Sequence, residues 1–194
     1  MRGLTRLLSA SAMVAAFSLG ASAAQAQATD PGLEQLYLVG DAPAACVISA
    51  PRASNAQNAT FAADTIGSGQ VTITQLVDNE TAQARASSIE LDFPVVCNGS
   101  HSVVVRSANG GLQRGGASTA GSGGGFSEFL AYTVGIDWAG NAIARQSDAG
   151  AATIQSSDPA RGDLAIRIST PAGGGPLVAG QYNDSIVVEL IPAN

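Results

Sequence analysis

Lysine is absent from this 194-residue chain, and its nine basic residues are all arginine. Fifteen acidic residues bring the formal net charge to −6. The arginines are scattered along the sequence, so no basic patch is available to neutralise phosphate groups. The composition therefore predicts neither nucleic acid nor an anionic membrane surface as a partner.

A long apolar run is also lacking, because residues 7–19 fall short of the roughly 20 that a membrane-spanning helix needs. This run follows a basic start and precedes Ala24-Gln25-Ala26, the small-x-small pattern of a cleavage site. The order predicts a signal peptide over residues 1–26; a retained membrane anchor is the alternative that the short run disfavours. We therefore expect an exported protein with no membrane span after signal removal.

Only two cysteines, Cys46 and Cys97, occur in the chain. Disulfides persist in the compartments that exported proteins reach, so we predict that the two residues pair. Two buried free thiols are the alternative. The bridge would close a loop of about fifty residues, which chain-entropy estimates value at about 4 kcal/mol of stability.

Histidine and aromatic residues are scarce, with one histidine, His101, and aromatic side chains at 5% of the sequence. A serine triad needs a histidine with an acid and an activated serine, and the Gly-x-Ser-x-Gly nucleophile motif is missing. One histidine and two oxidised cysteines do not make a zinc site. Glu90 and Asp92 have the ordinary spacing of solvated acids on a strand. We therefore predict no enzymatic activity, no metal site and no cofactor.

Apolar and polar residues alternate along much of the sequence, which is the pattern of half-buried β-strands. The clearest runs contain Ile89, Leu91, Phe93 and Val95; Leu130, Tyr132, Val134, Ile136 and Trp138; Leu164, Ile166 and Ile168; and Ile186, Val188 and Leu190. A weaker run contains Val71, Ile73 and Val77, and Cys46 opens a first strand. Residues 103–105 are apolar on both faces, as in a central strand.

Turn residues separate these runs, and no segment beyond the signal has a clear helical period. About seven strands with this spacing predict an all-β, antiparallel sandwich domain over residues 46–194. We expect Trp138 to pack in its core and His101 to lie in the turn before the strand that contains Val103.

Residues 27–45 form a predicted N-terminal extension ahead of this domain. Within it, Leu36 and Leu38 share one strand face, while Tyr37 and Val39 share the other. An apolar, strand-competent segment near a chain end must be buried somewhere. It is either an edge strand of its own sandwich or a donor strand that enters a groove in a neighbouring copy.

From Cys46 onward the chain resembles the family of spore coat protein U and the archaic chaperone–usher pilins. The likeness rests on Cys46 followed by Val-Ile-Ser, on Phe-Pro-Val-Val-Cys-Asn at residues 93–98, and on Leu-Ala-Tyr-Thr-Val at residues 130–134. The ending Ala-Gly-Gln-Tyr-Asn-Asp at residues 179–184, before the last strand, completes it.

The resemblance implies an incomplete immunoglobulin-like sandwich that a donor strand completes. A periplasmic chaperone would fill the gap first, and the next subunit would replace it at an outer-membrane usher. The implied donor residues are Leu33, Leu36, Tyr37, Leu38 and Val39. The implied groove and assembly residues are Ile186, Val188 and Leu190.

The expected function is therefore a structural, fimbrial subunit of a surface pilus or coat with a role in cell adhesion. It would pass through the periplasm to the cell surface, with neighbouring copies of itself or related subunits as partners. The alternative is a self-contained secreted sandwich that binds a carbohydrate or a protein. The small number of aromatic side chains argues against that alternative.

Overall fold

A computed structural model describes residues 36–64, 67–117 and 124–193. The chain divides into two units after Gly40, and the second, Asp41–Asn194, holds every described strand. No helix in the described ranges is long and apolar enough to cross a membrane. The strands are β1 Cys46–Ile48, β2 Arg52–Gln57, β3 Ala59–Ala63, β4 Gly69–Ile73, β5 Ser87–Cys97, β6 His101–Ser107, β7 Leu112–Arg114, β8 Phe129–Leu130, β9 Thr133–Trp138, β10 Asn141–Gln146, β11 Ala152–Ser156, β12 Ala160–Thr170, β13 Tyr182–Asn183 and β14 Ile186–Pro192.

The larger sheet contains six antiparallel strands. Five of them follow the order β1-β5-β12-β9-β10, and β2 pairs with the half of β5 that β1 leaves open. At 11 residues each, β5 and β12 are the longest strands, and they pair along their whole lengths at the centre of the sheet.

The smaller sheet has three antiparallel strands in the order β11-β6-β14. Its central strand, β6, contains the run of valines at residues 103–105, so the prediction of a central strand there is confirmed. Two minor sheets, β13-β7-β8 and the β3-β4 hairpin, complete the described structure.

One hydrophobic core joins the inner faces of the two main sheets. Leu164 on β12 and Val103 on β6 are both 0% exposed, and Trp138 on β9 packs into the same cluster at 3%. Burial on both facing sheets confirms the predicted all-β, antiparallel sandwich. The predicted core position of Trp138 is confirmed as well.

Alternation along β5 explains why the sequence signal was strongest there. Ile89, Leu91 and Val95 are buried, whereas Glu90 lies on the outer face and forms an ion pair with Arg167 of β12. Successive strand residues point to opposite faces, so one face supplies the core and the other the solvated surface.

The predicted number of strands, about seven, is too low, because fourteen occur in the described ranges. Two of the missed strands, β2 and β10, read Arg-Ala-Ser-Asn-Ala-Gln and Asn-Ala-Ile-Ala-Arg-Gln and are almost entirely exposed. Such strands form because their backbones pair with β5 and β9. Backbone pairing does not require apolar and polar side chains to alternate, so the sequences of these strands lack that pattern.

Two local predictions are also corrected. The run that was expected to continue from Leu130 to Trp138 is broken, with β8 ending at Leu130 and β9 beginning at Thr133. Val77 lies outside β4 and forms an isolated bridge to Ala84.

Candidate functional site

The C-terminal strand β14 has an open edge. It pairs with β6 on one side, from Ile186 opposite Ser107 to Pro192 opposite His101. On its other side, no strand of the described chain is hydrogen-bonded to it. An edge strand presents a row of unpaired backbone donors and acceptors, which is a template for adding another strand.

The inward-facing side chains of β14 are incompletely covered. Val188 and Leu190 stand opposite Val105 and Val103, which are only 2% and 0% exposed. Directly paired residues share a sheet face, so Val188 and Leu190 point to the core as well. With Ile186, they pack against the core cluster but stay only partly buried. The predicted groove residues therefore lie together on the inner face of the open edge.

The facing sheet has a similar gap at β1, which lies close to β14. Ile48 is paired with Val95, a core residue that is 1% exposed, yet Ile48 itself is 40% exposed. A side chain that faces inward but stays accessible to solvent shows that the core is incompletely covered at that position. Sequence reasoning missed Ile48, because its exposure depends on what lies across the gap.

The opposite side of the sandwich is closed. There, β10 and β11 lie side by side and are joined by a 3-10 turn, Ser147–Ala149. The buried Ser147 accepts a hydrogen bond from the Tyr132 backbone N–H at 3.0 Å and donates one to the Gly110 carbonyl at 2.7 Å. This turn closes the side of the sandwich that lies opposite β14 and β1.

The predicted donor residues belong to the N-terminal unit. Leu33 lies outside the described residues. Leu36, Leu38 and Val39 are 85%, 90% and 96% exposed, and Tyr37 is 76% exposed. Residues 36–45 belong to no strand of the described structure.

Residues 43–46 are anchored where the chain enters the domain. The Asn98 side chain accepts a hydrogen bond from the Ala45 N–H at 2.7 Å and donates one to the Pro43 carbonyl at 2.9 Å. Beside it, Cys46 and Cys97 form the predicted disulfide and face each other in the β1–β5 register. The disulfide is confirmed, and it joins neighbouring strands of one sheet. The role of Asn98 had no sequence signal beyond its place after Cys97.

The motif Tyr-Asn-Asp at residues 182–184 has a structural role. Asp184 accepts hydrogen bonds from the Tyr132 hydroxyl at 2.7 Å, from the Asn109 N–H at 3.0 Å and from the Ser107 hydroxyl. Tyr182 donates to the Val178 carbonyl at 2.8 Å. Burial of the phenol and its bond to Asp184 raise the pKa of Tyr132 well above the ordinary value.

Alkaline pH is expected to destabilise the wild-type domain more than a Tyr132→Phe variant. Because the folded pKa is raised, the neutral phenol contributes stability that is fully present below about pH 10 and is lost as pH rises through the folded pKa. Between pH 7 and pH 11, the free energy of unfolding measured with urea should fall by about 1.4 kcal/mol less in the variant than in the wild type. Equal declines in the two proteins would contradict the raised pKa of Tyr132.

His101 opens β6 and does not lie in the turn before it, which corrects the sequence prediction. It is 3% exposed, and its Nε2 accepts the Trp138 Nε1–H at 2.7 Å. An indole N–H can only donate, so the proton of the neutral imidazole is on Nδ1 and is donated to the Gly99 carbonyl at 2.8 Å.

His101 also lies near the disulfide, with ligand-type atoms of Cys46, Cys97 and His101 all within 4.8 Å of one another. Both sulfur atoms are committed to the disulfide, and both ring nitrogens of His101 are hydrogen-bonded. The pairing of these groups leaves the cluster without a thiolate or a free imidazole nitrogen to hold a cation.

Comparison with known proteins returned no match to a family model, to a curated protein or to a solved structure.

Proposed function

We propose that this chain is a structural subunit of a surface pilus or coat, assembled when an N-terminal segment of one copy adds as a strand to the next copy. Non-enzymatic assembly is the proposed activity, with neighbouring copies or related subunits as partners. Export through the periplasm, a periplasmic chaperone and an outer-membrane usher belong to the same proposal.

The observation that carries it is the open edge of β14. The three-stranded sheet faces a six-stranded sheet, and the inward side chains of β14 are only partly buried. A further strand beside β14 would extend the smaller sheet by main-chain hydrogen bonds and cover Val188 and Leu190. Apolar burial is worth about 25 cal/mol per Å², so covering several such side chains is a substantial driving force.

The exposed segment at Leu36–Val39 supports the proposal from the other side. Its four side chains are apolar or aromatic, and it carries no charge that a groove would have to desolvate. In an extended conformation it would place alternate side chains in the groove and the others outward. Large exposed apolar side chains in sequence are typical of a segment that is buried in a complex.

Gel migration of the purified full chain, unboiled against boiled, tests the proposal. We expect a heat-sensitive ladder of oligomers that disappears when residues 27–40 are deleted. Removal of the donor leaves the groove empty, so the deleted protein should run as a monomer. A single monomer band from both proteins, with the same melting temperature, would contradict strand exchange and indicate a complete, self-contained sandwich.

Point variants separate the donor from the groove. Leu36→Asp is expected to abolish the ladder without unfolding the domain, because Leu36 is 85% exposed in the single chain. On β14, Val188→Asp tests the groove in the same way, by loss of the ladder. Val187→Asp is its matched control, because Val187 faces outward and is 43% exposed. Circular dichroism checks that each protein is folded; loss of the folded monomer in Leu36→Asp would place that residue in its own domain's core.

A further inference from the structure

A polar cleft of about 540 Å³ lies where two strand-connecting turns meet, β9 to β10 and β11 to β12. Its polar lining residues are Asn141, Gln155, Ser156, Ser157, Asp158 and Arg161. The volume lies in the range of sites that take small molecules. None of the described residues that line it is aromatic, so a ligand would be recognised by hydrogen bonds and charge and not by stacking.

Arg161 is the distinctive group in this cleft. The guanidinium of each of the other arginines in the described ranges has a hydrogen-bond partner: Arg52 with Asp163, Arg85 with Gln75, Arg106 with Glu189, Arg114 with Glu128, Arg145 with the Ala149 backbone carbonyl, and Arg167 with Glu90. The side chain of Arg161, alone among them, has no hydrogen bond or ion pair within the described structure. Its five N–H donors are therefore available to a ligand.

The backbone next to Arg161 is unusual. Gly162 has φ of +150°, a conformation that L-residues rarely adopt, although a Cβ at this position would meet no atom within 4 Å. Glycine is therefore required there by the backbone angle and not by lack of space. The register of β12 with β5 is unbroken through this glycine, and Arg161 stands opposite Val96.

The other polar groups of the cleft suit hydroxyl groups. The turn is held by the Ser156 hydroxyl, which donates to the Asp158 carbonyl, and by the Ser157 hydroxyl, which donates to the Asp158 carboxylate, each at 3.1 Å. The Gln155 side chain has no partner in the described structure, and Asn141 uses its amide N–H to reach the Ala139 carbonyl at 3.2 Å. Amide groups and a fixed carboxylate are good partners for sugar hydroxyls.

We propose that this cleft binds a sugar acid, that is, a saccharide unit that carries a carboxylate. The planar guanidinium of Arg161 pairs with the carboxylate in a bidentate arrangement, and Gln155 and Asn141 bond to the hydroxyl groups. The site does not use β14 or the N-terminal segment, so it does not depend on strand exchange. It would give the protein a saccharide-binding surface whether it is a monomer or part of a polymer.

Saturation-transfer difference NMR on the full chain tests this with D-glucuronate as the probe, and it works for monomers and polymers alike. We expect a saturable signal from D-glucuronate that is several-fold stronger than the signals from D-glucose, which lacks the carboxylate, and from acetate, which lacks the hydroxyls. Equal signals from acetate would overturn the proposal by indicating general anion binding. No saturable signal from D-glucuronate would overturn it as well.

Variants locate the site. Arg161→Ala is expected to weaken D-glucuronate binding about tenfold or more, the scale of a lost charge-assisted pair, and Gln155→Ala to weaken it less. Arg106→Ala is the matched control, because Arg106 pairs with Glu189 on the other main sheet, and it should bind as the wild type does. Unchanged binding in both cleft variants would overturn the proposal. Since Arg161 has no partner in the described structure, its removal should leave the melting temperature unchanged.

Discussion

Loss of the Cys46–Cys97 bridge is expected to lower the free energy of unfolding by about 2–5 kcal/mol. The bridge spans 51 residues of sequence, so cutting it releases a long loop and increases the entropy of the unfolded chain. It also releases β1, which is only three residues long and pairs with a single strand in the described structure.

Urea unfolding of the wild type, with and without reductant, measures this effect. The double variant Cys46→Ala/Cys97→Ala is the control: it should match the reduced wild type and should not respond to reductant. Thiol labelling of the unfolded, unreduced wild type should find no free thiol. A double variant as stable as the oxidised wild type would show that the bridge is not needed to hold β1 in the sheet.

Replacement of Trp138 by alanine is expected to cost about 3–5 kcal/mol of stability, the usual range for emptying a large aromatic site in a core. Trp138 is 3% exposed and belongs to the cluster that joins both sheets. Its loss also leaves the Nε2 acceptor of the buried His101 without its donor. An unsatisfied buried group adds its own cost of about 1–3 kcal/mol.

Trp138→Phe separates the two contributions, because it keeps an aromatic ring but removes the N–H donor. If the hydrogen bond matters, Trp138→Phe should cost less in a His101→Leu background than in the wild type. Circular dichroism must follow the unfolding, since Trp138 is the only tryptophan in the chain and its fluorescence is lost. Equal costs in both backgrounds would assign the effect to packing alone.

Alternation in the sequence predicted the strands that have one face in the core and the other exposed to solvent. Ile89 and Leu164 lie on alternating, one-face-buried strands, and both belong to predicted runs. β10 could not be found in this way, because five of its six residues are exposed and only pairing with β9 places it in the sheet. Short-range pattern carries information about burial, whereas backbone pairing alone, as between β10 and its sequence neighbour β9, leaves no such pattern.

The candidate site was predictable in part for the same reason. The groove residues Ile186, Val188 and Leu190 alternate along one strand, so their shared face could be read directly. That they stay half-buried depends on which strand lies beside β14, and local sequence does not encode this. Arg161 cannot be told apart from the other scattered arginines in the sequence, since the absence of an ion pair becomes visible only in three dimensions.

The anchoring of the chain at Asn98 and Cys97 has a mechanical consequence. A pull on the residues before Cys46 passes through the disulfide directly into β5. That strand is hydrogen-bonded to β12 along its full length, so the load is shared over many hydrogen bonds. Without the bridge, the same pull would act on the three residue pairs between β1 and β5, which would separate one after another. The covalent link therefore sends tension past the weakest strand of the sheet into its centre.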